Sequence, residues 1–250
     1  MSALLAYARY LLASIGFIKP ATSTPITSLF SNHPGHHRIL ISGLDAAGKS
    51  TLLYKYLSQR EDDISCFTPT IPFNIEVYRC GQVTFQVIDL GGCRPKSFYK
   101  MERSFFKHAD ALIWVNDAND RDRAPETREE LLRHVSYQDG LRKDVPVLIL
   151  ANKQDLQHAL TPEQTRGYYL DDVSSSLVSR PHAVFGTNIR TGEGLTEAFE
   201  WLSKTVETRM KYDTGVVEKL SVLEVEEEVN MIIQAAFRED LKTEINEKIG

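Results

Sequence analysis

Arg38-Ile39-Leu40-Ile41-Ser42-Gly43-Leu44-Asp45-Ala46-Ala47-Gly48-Lys49-Ser50 is the stretch that decides how the rest of the chain is read. Its first five residues form a short β-branched run that stops at Gly43, which reads as a buried strand. From Gly48 to Leu57 the spacing turns helical, with Leu52, Leu53 and Leu57 apolar. Gly43 to Ser50 fits the pattern G-x-x-x-x-G-K-[ST], and it sits between a strand and a helix, where the mechanism of that pattern requires it. The glycines let backbone N–H groups curl around a phosphate, and the helix start adds partial positive charge. Lys49 is placed to reach β- and γ-phosphates, and the Ser50 hydroxyl to hold Mg²⁺.

Working outward, two alternating runs, Phe73 to Arg79 and Val83 to Ile88, are joined by Cys80-Gly81-Gln82 as a short hairpin. Ala111 to Asn116 and Val145 to Leu150 are too short and too apolar for surface helices, and read as strands buried on both faces. Pro125 to Val135 between them is charged and helical in pattern. Thr161-Pro162-Glu163-Gln164 is a helix start, with a Thr cap, Pro in the first turn and Gln three residues on. Ala183-Val184-Phe185 reads as a last strand, and Leu195 to Met210 as a last helix. The alternation predicts an α/β domain: a mostly parallel six-stranded sheet with one antiparallel hairpin strand and helices on both faces.

Three further stretches carry chemistry. Asn152-Lys153-Gln154-Asp155 follows a strand at its carboxyl end, where α/β sheets bind ligands. A carboxylate such as Asp155 accepts two N–H bonds from N1 and the 2-amino group of guanine, a donor pair that adenine lacks. Asn152 can bond N7 and the loop backbone, and Lys153 can lie along the ring. In Asp89-Leu90-Gly91-Gly92 the Asp can hold a Mg²⁺-bound water, and the Gly92 N–H can approach a γ-phosphate closely. Thr70, in Pro69-Thr70-Ile71, can complete the Mg²⁺ shell only when a γ-phosphate is present, which makes a switch. The residues by themselves thus predict a guanine-nucleotide switch.

With these residues in hand, the sequence resembles the Arf branch of the Ras-like small GTPases, over roughly residues 37–211. GLDAAGKST carries Asp45 in the turn, as that branch does, and continues into Thr51. PTIPFN resembles the branch's PTIGFN, and DLGG its DVGG. NDRDR with ETREELLRHV, ANKQDL and TGEGLTEAFEWL resemble the later segments. The resemblance implies a P-loop G domain, GTP and GDP binding with Mg²⁺, slow GTP hydrolysis, and a role in intracellular protein transport or vesicle traffic. It also implies protein effectors, an exchange factor and a GTPase-activating protein as partners. The stretch between Lys49 and Thr70 is too short for the helical insert of heterotrimeric α-subunits. By alignment, Lys49, Thr70, Gly92 and Cys93 fall at the catalytic positions, and Asn188-Ile189 at the final base-binding loop.

The departures from that pattern are informative. Cys93 stands where the branch has the Gln that orients the attacking water, and a thiol is a weak donor and acceptor on a shorter side chain. Impaired hydrolysis is expected. The alternative reading is a nucleotide-dependent effector-binding module that holds GTP with negligible turnover. Pro72 replaces a Gly, removing an N–H and stiffening the loop. The stretch from Cys93 to Phe106 is slightly longer than in typical relatives. Asn188-Ile189 replaces the usual S/C-A, leaving a backbone N–H for guanine O6.

Charge divides the 250 residues further. The net charge of −5 argues against a nucleic-acid partner bound by bulk phosphate neutralisation. Residues 1–42 hold Arg9, Lys19 and Arg38 and no acid, whereas 212–250 hold ten acids and four bases. Cys66, Cys80 and Cys93 form no C-x-x-C pair, which excludes a cysteine zinc site and favours a reducing compartment. No apolar run approaches the ~20 residues of a membrane-spanning helix. A cytoplasmic protein with reversible association with intracellular membranes is expected.

Four segments follow: an amphipathic helix at 1–19, a flexible linker at 20–37, the GTPase domain at 38–211, and an acidic helical extension at 212–250. Leu4, Ala8, Leu11, Leu12, Ile15 and Ile18 share one helical face. That face suits an interfacial membrane helix, a helix packed on the domain, or a mitochondrial presequence. Ser2 follows Met1, so N-myristoylation is not expected, and the closing Glu247-Lys248-Ile249-Gly250 is no prenylation box. His36-His37 reads as solvated linker. The acidic extension reads as an amphipathic helix that folds back, or one that binds a partner.

Overall fold

The computed structural model describes residues 29, 37–57, 64–67, 75–80, 83–88, 105–136, 140–170, 177 and 179–212. The strands are β1 (His37–Ser42), β2 (Ile64–Phe67), β3 (Ile75–Cys80), β4 (Val83–Ile88), β5 (Ala111–Asp117), β6 (Val147–Asn152) and β7 (His182–Gly186). The helices are α1 (Lys49–Leu52), which continues as a π-turn over Leu53–Leu57, then α2 (Ala124–Ser136), α3 (Pro162–Leu170) and α4 (Leu195–Tyr212).

One sheet runs in the order β2-β3-β4-β1-β5-β6-β7. β1 pairs in parallel with β4 and β5, β5 with β6, and β6 with β7. β3 is antiparallel to both its neighbours, β2 and β4, so it is the single reversed strand among the described residues. The sheet therefore has the expected α/β character, with seven strands among the described residues where six were expected. The addition, Ile64-Ser65-Cys66-Phe67, lies at the edge against β3. Four residues give too little periodicity to mark a strand, and their pairing partner comes later in the chain. β1 also begins one residue early, so that His37, expected in the linker, is buried.

The central strands alternate between two apolar layers, because successive side chains point to opposite faces. Ile39, Ile41, Ile113, Val115, Leu148 and Leu150 pack with Leu52, Leu53 and Leu57 of the first helical run and with Phe199, Leu202 and Val206 of α4. Leu40, Leu112, Trp114, Val147 and Ile149 pack with Leu131 and Val135 of α2 and Tyr169 of α3. Burial on both faces explains why these strands read as continuous apolar runs. Leu29 packs against the first layer, and its carbonyl accepts a bond from Ser203 Oγ of α4 at 2.9 Å.

The predicted cap of α3 forms in both directions. The Gln164 N–H donates to Thr161 Oγ1 at 3.2 Å, and the Thr161 N–H to Gln164 Oε1 at 3.0 Å. No helix among the described residues is long and apolar enough to cross a membrane.

Candidate functional site

The carboxyl ends of β1, β5, β6 and β7 lie side by side, and the loops leaving them meet. This is the crevice where open parallel sheets place ligands. The loop from Gly43 to Gly48 leaves β1 and turns into α1. At Gly43 the backbone has φ +140°, and an added Cβ would fall 2.1 Å from the Val115 carbonyl oxygen of β5. Only glycine lets the loop cross the top of β5 so closely.

The other loop glycine makes the link to β6. At Gly48, with φ +113°, a Cβ would lie 2.7 Å from Asn152 Nδ2 and 3.5 Å from Ile189 Cδ1. Asn152 Nδ2 instead donates to the Ala47 carbonyl at 2.8 Å. Its Oδ1 accepts the Ile189 N–H at 3.0 Å and the Thr187 hydroxyl at 3.5 Å. One buried amide thus joins the β1 loop, the end of β6 and the loop after β7. The Ile189 N–H, read from the sequence as a donor to guanine O6, is here directed at Asn152. The bulk of the buried Ile189 side chain fits because Gly48 has no side chain.

Lys49 is 3% exposed, and its Nζ donates to the Gly43 and Leu44 carbonyls at 2.9 and 2.6 Å. The ammonium is thereby held inside the curl of the loop. Ser50 and Thr51 follow in the first turn of α1 with exposed side chains. Ala46 takes φ +58° at the crest of the loop. Asp45, exposed beside it, pairs with Arg123 Nη1 at 2.7 Å. Arg123 also holds Asp120 at 2.7 Å, and this hydrogen bond lowers the Asp120 carboxyl below its usual range.

The β6 loop is braced in the same manner. Lys153, at φ +67°, sends its Nζ to Asp117 Oδ2 at the end of β5. Gln154 Nε2 donates to the Ala151 and Leu160 carbonyls at 3.2 and 2.8 Å, and the Gln154 N–H to the Thr187 carbonyl. Asp155 is left at the surface, 4.0 Å from Arg190 Nη1. In the loop after β7, Asn188 closes a tight turn, its carbonyl accepting the Thr191 and Gly192 N–H groups.

Of the residues read as a site, Gly43 to Thr51, Asn152, Lys153, Asp155, Asn188 and Ile189 are therefore gathered at one end of the sheet. Thr70, Asp89, Gly92 and Cys93 lie outside the described residues. Sequence reasoning missed Asp117, Arg123 and Gln154. Asp117 ends its strand in register with Asn152, and only that register reveals its role. Arg123 and Gln154 act on partners that no local pattern announces.

A glycine-bounded loop leaving β1 over a buried lysine, with a polar loop leaving β6 two strands away, places the candidate site at the carboxyl ends of an α/β sheet. Comparison with known proteins makes the class specific. The ADP-ribosylation factor family, Arf, matches over residues 24–206, and the chain belongs to that family. Among solved structures it is similar to the Arl6 (BBS3) small GTPase from Trypanosoma brucei with the bound nucleotide analogue GppNp. The two share 28% identity at a TM-score of 0.55, over 70% of this chain and 99% of the other. Members of this family bind GTP and GDP, generally hydrolyse GTP, and act as nucleotide-dependent switches.

Proposed function

We propose that the chain is a guanine-nucleotide switch that binds GTP and GDP with Mg²⁺ and turns GTP over slowly. The observation that carries this reading is the Asn152 amide, which clamps Ala47 of the phosphate loop to the loop bearing Asp155. It sets a base-reading carboxylate and a phosphate cradle on one crevice. The GppNp bound by the Trypanosoma brucei relative supports the same reading.

In this proposal Gly43, Leu44, Asp45, Ala46, Ala47 and Gly48 present backbone N–H groups to the phosphates. The Lys49 ammonium leaves its two loop carbonyls for the β- and γ-phosphate oxygens. Asp155 reads N1 and the 2-amino group, Lys153 lies along the ring, and Asn188 and Ile189 border O6. The exposed Ser50 hydroxyl, in the first turn of α1 beside the phosphate loop, suits Mg²⁺, and Thr70 and, through water, Asp89 would be its partners. Mg²⁺ held there would supply neutralisation of the charge on the phosphates. Gly92 contacts the γ-phosphate, and Thr51 flanks the cradle.

Cys93 favours a second reading, an effector-binding module that holds GTP with negligible hydrolysis. In either case the domain at 38–211 is flanked by a helix at 1–19 on a linker at 20–37 and by an acidic extension at 212–250. The first helix makes reversible contact with intracellular membranes from the cytoplasm, and the switch serves protein transport through effectors, an exchange factor and a GTPase-activating protein.

The test is competition binding of GTP, ATP and xanthosine triphosphate to the chain and to Asp155→Asn. A site built to pair guanine should reject adenine by roughly 10⁴-fold, since adenine leaves buried polar groups unpaired. Asp155→Asn should weaken GTP and favour the xanthine nucleotide. Equal binding of ATP and GTP by the unmodified chain refutes the reading.

A further inference from the structure

We infer that Lys55 and Tyr56, on the wide turn that ends the first helical run, are positioning residues for the base end of the nucleotide site, acting through Arg190 and Gly192. The inference rests on the reading of Asp155, Asn188 and Ile189 as that base end.

The helical run starts at the phosphate cradle and finishes under the base loop. Lys49 lies at its first residue and Leu57 at its last. Its second half is a π-turn, which carries more residues per turn than an α-helix and so changes the direction in which the following side chains leave. Lys55 and Tyr56 leave toward the loop after β7. Lys55 Nζ donates to the Arg190 carbonyl at 2.5 Å, across 135 residues of sequence. The same ammonium lies 5.8 Å from the centroid of the Tyr56 ring, so the ring face supports it.

Tyr56 fixes the next part of the loop by shape. A Cβ added at Gly192 would come 3.0 Å from two atoms of its ring and hydroxyl. The Tyr56 hydroxyl is buried and has no hydrogen-bond partner among the described residues. Ring edge and hydroxyl oxygen therefore hold Gly192 by packing rather than by a hydrogen bond.

These contacts converge on Arg190. Lys55 holds its carbonyl, Asn188 Oδ1 accepts its N–H at 3.0 Å, and its guanidinium faces Asp155 at 4.0 Å. Arg190 thus fixes the loop relative to the carboxylate that reads the base. Binding sites lose affinity when the residues behind the contacting ones are loosened, because the contacting groups then pay to become ordered. Freeing Arg190 and Gly192 should weaken recognition of the base. The phosphate cradle, at the other end of the helical run, should be unaffected.

The experiment uses the full chain and Lys55→Met, Lys55→Arg and Tyr56→Leu. It measures affinity for GTP, release of a fluorescent GDP, and affinity for inorganic tripolyphosphate, which has no base. Lys55→Met should weaken GTP and speed GDP release by about fivefold, the equivalent of one charge-assisted hydrogen bond at a partly exposed site. Tyr56→Leu should act in the same direction, and Lys55→Arg should restore most of the loss. Tripolyphosphate binding should not change in any variant. Unchanged GTP binding by both Lys55→Met and Tyr56→Leu, in a protein that still prefers GTP to ATP, overturns this inference alone. An equal loss of GTP and tripolyphosphate overturns it too, since the effect would then be general. A protein with no preference for GTP over ATP overturns the base site and this inference together.

Discussion

Gly43 sets the shape of this site, and the proposed switch gives Cys93 a second way for one residue to set its behaviour. Gly43 acts through what it lacks. With a Cβ position 2.1 Å from the Val115 carbonyl oxygen and φ at +140°, any side chain must push the β1 loop off β5. Gly43→Ala should cost about 3 kcal/mol of stability, from a strained backbone and a displaced loop. It should also abolish nucleotide binding. Urea unfolding with a nucleotide titration checks both, and near-normal values for both would contradict this account of the loop. In the proposed switch Cys93 would act through its chemistry. Phosphoryl transfer depends on a positioned water and on charge neutralisation, and a thiol positions water poorly. Intrinsic GTP hydrolysis should be very slow in single-turnover assays, and Cys93→Gln should raise it. Rapid unassisted hydrolysis by the unmodified protein would refute the assignment.

At the scale of elements, helix ends and helix turns do much of the placing. The reciprocal cap at Thr161 and Gln164 starts α3 directly after the β6 loop, whose Gln154 side chain already bonds Leu160. Thr161→Ala should lower stability by about 1 kcal/mol, the usual cost of losing an N-cap. Urea midpoints measure it, with GTP affinity expected to hold. The π-turn buries Tyr56, and burial pushes its hydroxyl from 10.0 up to about 12. The folded protein therefore keeps a proton that the unfolded chain releases. Stability is fully present below pH 10 and is lost as the pH climbs toward 12. Urea unfolding at pH 9 and pH 11 should show that fall, and Tyr56→Phe should make it smaller. The effect will not vanish, because burial also raises the Tyr169 hydroxyl. A pH dependence identical in Tyr56→Phe would count against the burial argument.

Across the whole molecule, charge and anchoring suggest how the appendages work with the domain. Leu29 is fastened to α4 through Ser203. Residues 1–19 and 213–250 lie outside the described residues. Arg9 and Lys19 each contribute about 1 kcal/mol near an anionic surface, and stable anchoring usually needs two signals. The expected outcome is weak, reversible membrane binding that depends on the nucleotide: GTP frees the helix at 1–19, and GDP keeps it on the domain. Co-sedimentation with anionic liposomes, comparing both nucleotide states with and without residues 1–19, checks this. Equal pelleting of all four samples would sink it.

The sequence alone determined the α/β alternation, the glycine-bounded loop from Gly43 to Gly48 between β1 and α1, the polar loop from Asn152 to Asp155 at the end of β6 and the cap of α3. Each is written within a dozen residues, because strand burial, glycine turns and helix caps are local in the chain. Tertiary structure alone decided what those pieces touch. Nothing near Asn152 says that its amide will bond Ala47, nor near Lys153 that Asp117 will hold its ammonium. The pairings of Arg123 with Asp45, Lys55 with Arg190 and Arg190 with Asp155 are equally silent in the sequence. The edge strand β2 belongs with them, since its four residues become a strand only by pairing with β3. The physical reason is common to all of these. A polar side chain or an edge strand takes its partner from whatever the packed sheet brings within reach, and that partner is set by strand order and register.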